Sequence, residues 1–181
     1  DAVSNHRTMC DPDGGRFTYA EDAARRLTSL VDPQSERSTF LYDDAGRREA
    51  NLLANGTRAS FSYDGSGNVL RVANLKSDGT TISSFDYGYD PTGNRTHVVE
   101  ADGSRVTWLY DDAYQLTGEH RSGTHAYRDT FTYDPTGNRL LKQHDGDRTT
   151  YTYDAANQLE TSLDVGGTTT YLFDANGNQA I

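Results

Sequence analysis

A chain of 181 residues carrying a net charge of -10, with only 34% hydrophobic residues, is the size of one ordinary domain but has little aliphatic material for a thick core. The acidic balance argues against a general nucleic-acid binder, which needs clustered Lys and Arg to neutralise phosphates, and no apolar run approaches the roughly 18 residues of a membrane-spanning helix. A single cysteine, Cys10, excludes an internal disulfide framework, while 12 tyrosines and 17 glycines point to a thin, Tyr-lined sheet.

In chain order, residues 1–16 read as an N-terminal turn-rich segment containing Asp11-Pro12-Asp13-Gly14-Gly15. From residue 17 to 181 one unit recurs eight times, anchored at Tyr19, Tyr42, Tyr63, Tyr89, Tyr110, Tyr133, Tyr153 and Phe173. The steps between anchors are 23, 21, 26, 21, 23, 20 and 20 residues. A period in this range marks a repeat architecture. Each anchor has an aromatic residue two positions before it, as in Phe40/Tyr42, Trp108/Tyr110 and Phe131/Tyr133. That spacing puts both rings on one face of a strand and Ser62, Thr132 and Thr152 on the other.

An acid follows seven of the anchors: Asp43, Asp64, Asp90, Asp111, Asp134, Asp154 and Asp174. Each is expected to open a tight turn by accepting hydrogen bonds from backbone N–H groups about two residues on. Gly46, Gly67, Gly93, Gly137 and Gly177 then stand where a three-residue hairpin with a bulge requires a left-handed residue. Tyr114 and Asn157 replace that glycine in two repeats; Asn tolerates positive φ, but Tyr114 does not, so its turn is expected to differ. In the first repeat Ala20 follows the anchor, and Glu21–Leu27 reads as a loop or a single helical turn.

Midway between anchors lie Asn55-Gly56, Asp78-Gly79, Asp102-Gly103, Ser122-Gly123, Asp145-Gly146 and Gly166-Gly167. Such pairs between strand-like runs are strong hairpin signals. Each repeat therefore supplies two strands, and the expected fold is all-β, an antiparallel meander of roughly sixteen strands.

The heptads Tyr89-Asp90-Pro91-Thr92-Gly93-Asn94-Arg95 and Tyr133-Asp134-Pro135-Thr136-Gly137-Asn138-Arg139 are identical, and Tyr42-Asp43-Asp44-Ala45-Gly46-Arg47-Arg48 is close to them. These units resemble the RHS/YD-repeat family, over nearly the whole chain. The resemblance implies a long β-strip that curves and spirals into a hollow shell. Such shells occur in toxin components that encapsulate a toxic C-terminal domain, in bacterial wall-associated and contact-inhibition proteins, and in teneurin ectodomains. It implies a secreted or cell-surface structural scaffold, either a shell wall or a self-assembling fibre. The shell segment of a toxin-delivery protein and a carbohydrate-binding adhesion module stand as alternatives. Toxin-delivering members end their repeats with a self-cleaving Asp-Pro-x-Gly-Leu element; here Asn94 and Asn138 follow the corresponding glycines, so no protease activity is carried over. Eight repeats make only part of a wall. The expected partners are therefore further repeats of one polypeptide, or copies associating head-to-tail or edge-to-edge, with glycans as a further candidate. The missing initial Met and the unfinished last repeat fit an excised window of a longer array, or a subunit completed by its neighbour.

No catalytic constellation or cofactor motif stands out. The repeated Asp suits turn capping better than calcium, because no loop supplies several acidic ligands and a terminal Glu. His6, His97, His120, His125 and His144 are scattered; His120 and His125 are placed to face each other across a hairpin, without the third ligand that zinc needs. Asn55-Gly56-Thr57 and Asn94-Arg95-Thr96 make Asn55 and Asn94 candidate glycan acceptors. Trp108 and the tyrosines offer stacking surface for sugars, against the commoner role of cross-strand packing.

Overall fold

The computed structural model describes residues 7–174 and 176–180; His6, Asp1 and Ile181 lie outside the described residues. The chain divides into two compact units, Asp1–Tyr87 and Gly88–Ile181. The first holds β1 (Thr8–Cys10), β2 (Arg16–Glu21), β3 (Leu27–Val31), β4 (Arg37–Tyr42), β5 (Arg48–Leu52), β6 (Arg58–Tyr63), β7 (Val69–Leu75) and most of β8 (Thr81–Tyr89). The second holds β9 (Arg95–Glu100), β10 (Arg105–Tyr110), β11 (Leu116–Ser122), β12 (Tyr127–Tyr133), β13 (Arg139–His144), β14 (Asp147–Tyr153), β15 (Leu159–Asp164) and β16 (Gly167–Thr170), with β17 (Leu172–Phe173) and β18 (Gln179–Ala180) pairing apart. Strand order follows sequence order from β1 to β16, antiparallel and without crossover. Among the described residues there is no helix.

Buried apolar side chains are few. In the first unit they are Ala50 and Ala73, and in the second Val98 and Val106. Ala50 and Ala73 lie in one cross-strand row with Leu41, Ser60 and Ser84, so small residues line that face while rings cover the other. Arg48 lies over Phe40 and Tyr42 at 4.5 and 4.8 Å, which places this ring pair on a single face. Thr and aromatic side chains suit such a half-buried pleated surface.

At the acid turns opened by Asp22, Asp43, Asp64, Asp111, Asp134 and Asp154 the register slips by one residue. Leu41 pairs with Ala50 but Tyr42 with Arg48; Leu109 pairs with Gly118 but Tyr110 with Leu116; Thr132 pairs with Leu141 but Tyr133 with Arg139. The result is a bulge on each of these returning strands, one extra residue that bends the ladder.

The structure departs from the sequence reading in five places. In the first repeat the bulge falls between Ala20 and Glu21, and Asp22 takes the acid's place by accepting from Ala24 and Arg26 N–H. Glu21, not Tyr19, is thus the anchor, because the acid turn rather than the nearest aromatic pair sets register. The meander also begins before Phe17: β1 pairs with β2, and Asp11 closes a turn of the same kind on Gly15 N–H at 2.6 Å. Asp32 caps a further turn through Gln34 and Glu36 N–H, unannounced because Ser35 holds the glycine position at φ 67°. The Tyr114 turn does not differ from the others: its N–H donates to Asp111 C=O at 3.0 Å, and Tyr114 itself takes φ 61°.

The midway turns fall where the hairpin signals place them, except the one after Arg121 and the last, which form the fifth departure. Residues 53–57, 76–80 and 100–104 use the five-residue pattern of the acid turns, with positive φ at Gly56, Gly79 and Gly103. Asp145-Gly146 is the tight two-residue turn, both residues having positive φ. The last turn sits at Val165-Gly166, one residue earlier than expected. Arg121 pairs with Tyr127 across a longer loop, and His120 pairs with Arg128, so His120 and His125 do not face each other.

Tyr114 shows what the left-handed position demands. That conformation costs a non-glycine residue roughly 1–2 kcal/mol, partly offset by glycine's larger unfolded-state entropy. Tyr114→Gly is therefore expected to raise stability by about 1 kcal/mol and Gly137→Ala to lower it by about 1–2 kcal/mol, both read from urea midpoints.

Candidate functional site: the clamped turn edge

The acid turns share one geometry. In the 43–47 turn Asp43 N–H donates to Arg47 C=O and Gly46 N–H to Asp43 C=O, each at 2.9 Å, while Asp43 Oδ1 accepts from Arg47 N–H at 2.8 Å. Asp64 accepts from Ser66 and Asn68 N–H, Asp111 from Ala113 and Gln115, Asp154 from Ala156 and Gln158, and Asp174 from Asn176 and Asn178. Gly46, Gly67, Gly93, Gly137 and Gly177 have φ of 80 to 94°.

Asp90 and Asp134 are the most heavily bonded. Asp90 Oδ1 accepts from Thr92 N–H, Thr92 Oγ1 and Asn94 N–H at 2.7–2.9 Å, and Oδ2 from Asn94 Nδ2 at 2.9 Å. Asp134 repeats the set with Thr136 and Asn138. The threonine hydroxyl first, with the asparagine amide assisting, holds each carboxyl at about 2, well below the usual range. Both oxygens of these acids are taken up by donors within the turn. Among the described residues no three His, Cys, Asp or Glu side chains converge as a metal site would require.

The anchors tie one hairpin to the previous one. Tyr42 Oη donates to Leu27 C=O at 2.8 Å, Tyr63 to Arg48 C=O at 2.8 Å, Tyr110 to Arg95 C=O at 3.0 Å, Tyr133 to Leu116 C=O at 2.8 Å, and Tyr153 to Arg139 C=O at 3.0 Å. Every acceptor is the first residue of a strand that leaves the preceding acid turn. The carbonyls of Leu27, Arg48, Leu116 and Arg139 stand at the bulge, where ladder pairing is disrupted. Each hydroxyl therefore satisfies a backbone group left over by the neighbouring repeat.

In three turns the fifth residue adds a second tie. Arg26 lies 4.6 Å over Tyr42 and pairs with Asp22 at 2.7 Å. Arg47 lies 4.6 Å over Tyr63, pairs with Asp43 at 2.8 Å, and donates through Nη1 to Asp64 C=O at 2.9 Å. Asn138 Nδ2 reaches Asn157 Oδ1 at 3.0 Å. Asn94 instead turns back on Asp90 and Thr92. Beside it lies an open groove of about 420 Å³, lined by Tyr89, Gly93, Arg95, Trp108, Tyr110 and Leu116.

A polar belt on the ring face of the second unit was missed by sequence reasoning. Trp108 pairs across the strands with Glu119, Glu119 with Asp129, and Asp129 with His144. Trp108 Nε1 donates to Glu119 Oε2 at 2.8 Å, and Tyr127 Oη donates to Glu119 Oε1. That bond to Glu119, helped by burial, pushes the Tyr127 hydroxyl up to about 12. Buried Asp129 accepts from His144 Nδ1 at 2.6 Å and faces Lys142 at 3.6 Å. Arg121 forks onto Glu100 at 2.6 and 2.7 Å. Only the strand register brings these residues together. Of the two candidate glycan acceptors, exposed Asn55 uses its Oδ1 to accept from Thr57, whereas the Asn94 amide nitrogen is committed to Asp90.

Hairpins clamped in series define a structural repeat scaffold. The RHS repeat family model matches residues 63–105 and 89–126, so this stretch carries RHS repeats, and the acid-turn pattern continues in register on either side of it. Among solved structures it is similar to the crystal structure of TcdB2-TccC3-TEV, with a TM-score of 0.71 and 17% identity over 99% of this chain and 13% of that one. The crystal structure of TcdB2-TccC3 gives 0.65 and 17% over 95% of this chain and 13% of that one. The Photorhabdus luminescens Tc holotoxin pore gives 0.64 and 16% over 95% and 12%. At these identities the likeness establishes the fold, and the chain spans about an eighth of the length of those it matches. No curated protein sequence matches it.

Removing one anchor hydroxyl leaves a carbonyl without its donor. Tyr63→Phe and Tyr133→Phe are each expected to lower stability by about 1–2 kcal/mol, while Tyr114→Phe, whose ring is exposed, leaves the urea midpoint unchanged. The depressed carboxyls of Asp90 and Asp134 fix a sign for pH. Their folded values lie below the unfolded one, so their contribution is full above the ordinary carboxylate value and is lost as pH falls towards about 2. The double variant Asp90→Asn/Asp134→Asn should accordingly show a flatter fall in urea midpoint on acidification than the parent chain.

Proposed function

We propose that this chain is a wall segment of a YD-repeat shell within a larger, secreted toxin-delivery polypeptide, where the sheet encloses a cargo rather than performing chemistry. The observation that supports this most directly is the tyrosine clamp. It joins hairpin to hairpin along the chain and carries its bonding inside the wall, as an extended enclosure requires. The likeness of 99% of the chain to part of TcdB2-TccC3-TEV supports the same reading. Among the described residues no helix is long and apolar enough to cross a membrane. In a secretory setting Asn55 is the better glycan acceptor, since its turn is exposed and the Asn94 amide is occupied. A fibre built from copies of this chain has no comparable support, because the bonds that tie repeats together run within one polypeptide.

Negative-stain imaging of the full polypeptide that carries this segment tests the reading. Hollow particles are expected, with a region inside them resistant to added protease until the shell is opened. Solid filaments, or a cargo region digested as fast as free peptide, would overturn it.

A further inference from the structure

We propose that the sheet face opposite the rings docks an extended acidic segment of another polypeptide, through arginines repeated along that face. The inference does not depend on the shell reading; it rests on where the register puts the arginines that the fold leaves free. Arg16, Arg37 and Arg58 in the first unit, and Arg105, Arg128 and Arg148 in the second, recur at one place in their repeats. Each stands five residues before the position that precedes an acid turn: Glu21, Tyr42 and Tyr63, then Tyr110, Tyr133 and Tyr153. An odd offset along a strand places them on the face away from those anchors. All six are exposed.

The fold makes no use of these guanidinium groups. Arg26, Arg47, Arg71 and Arg121 pair with acids, and Arg48, Arg95 and Arg139 lie over rings. Among the described residues none of the six repeated arginines has an ion pair or a ring contact; Arg105 Nε donates to Thr107 Oγ1 at 3.3 Å. Their cross-strand partners are not acids. They are Cys10, Val31, Leu52 and Leu75 in the first unit, and Val99, Ser122, His120 and Gln143 in the second. Asp129 and Asp147, next to Arg128 and Arg148 in sequence, stand on the ring face, where both pair with His144. A chain of net charge -10 thus keeps a row of unneutralised cations in each unit.

The row fits a carboxylate-bearing chain. Guanidinium takes a carboxylate through two parallel bonds, and all six positions hold arginine in a chain whose lysines are Lys76 and Lys142. Successive arginines of a unit stand two strands apart, roughly 10 Å. A polyproline II chain repeats every three residues, roughly 9 Å, so acids at every third residue meet the arginines in step. The long side chains span the offset that sheet twist adds. Sugars and bases seat by stacking on rings, and the rings lie on the other face; an acidic polypeptide is therefore the polyanion that matches.

The test is fluorescence anisotropy of a labelled peptide of about five Glu-Pro-Pro repeats titrated with the chain at low salt, with the Gln-Pro-Pro peptide as comparison. Saturable binding of the Glu peptide is expected, weakening as salt screens the exposed charges. Arg37→Gln, Arg58→Gln and Arg128→Gln should each weaken it by about two- to fivefold, and Arg58→Gln/Arg128→Gln by about fivefold or more, with urea midpoints unchanged. Arg25→Gln removes the same charge at an acid turn and should change affinity by less than about twofold. No saturable binding, equal binding of the Gln peptide, tighter binding of an oligogalacturonate of equal charge, or undiminished affinity in the folded double variant would each overturn the proposal.

Discussion

The bond from an anchor tyrosine hydroxyl to the first carbonyl after the preceding acid turn is what the rest of the structure depends on. Turn chemistry alone makes isolated hairpins, and a lone hairpin is marginal in water. The bulge after an acid turn, as at Asp22, Asp43, Asp111 and Asp134, disturbs the ladder on the returning strand, and the next anchor's hydroxyl arrives at that point. Tyr42, Tyr63, Tyr110, Tyr133 and Tyr153 all make this bond at 2.8–3.0 Å. It accounts for tyrosine rather than phenylalanine at these anchors, because a phenyl ring would cover the same area and leave the carbonyl unmet. It also accounts for the narrow range of repeat lengths, since the hydroxyl must meet a point set by the previous turn.

A sheet held this way needs little core. Four small or medium apolar residues are buried among the described ones, and Ser104 is more deeply buried than any of them at 2% exposure. Stability comes instead from many local terms: carboxylates bonded within their own turns, rings stacked on guanidinium groups, and hydroxyl clamps between neighbours. In repeat proteins such terms add approximately as nearest-neighbour contributions. Damage to one repeat in the chain is then felt mainly by the repeats on either side of it. The belt from Trp108 to His144 is a local exception, a chain of charge-assisted bonds linking β10 to β13.

Much of this was legible in the sequence because two signals coincide. Rings two residues apart fix a strand face, and Asp followed three positions later by Gly fixes a reversal. Where the signals separated, the reading slipped. Phe17 and Tyr19 look like an anchor pair, but the acid that sets the register is Asp22, and the rings simply sit two residues early. Tyr114 was expected to disturb its turn; the bonds of the Asp111 carboxylate and the flanking strands hold it in the left-handed region despite its side chain. Asn-Gly and Asp-Gly pairs were read as hairpin signals, and at 53–57, 76–80 and 100–104 the Gly closes a five-residue turn. The dipeptide marks a reversal without giving its length. The clamps themselves were hidden, because each joins a side chain to a backbone carbonyl 14 to 17 residues upstream, and no residue type marks a carbonyl.

The same clamp ties the fold to the proposed enclosure, since it lets hairpins be added one after another without a new core. The central claim is tested most directly by nuclear Overhauser contacts in the folded chain. The account predicts cross-peaks from the Tyr63 ring to Arg48 and from the Tyr133 ring to Leu116, together with strand contacts flanking each acid turn. Rings that show contacts only to residues near in sequence, or to residues other than those opening the preceding returning strand, would contradict it.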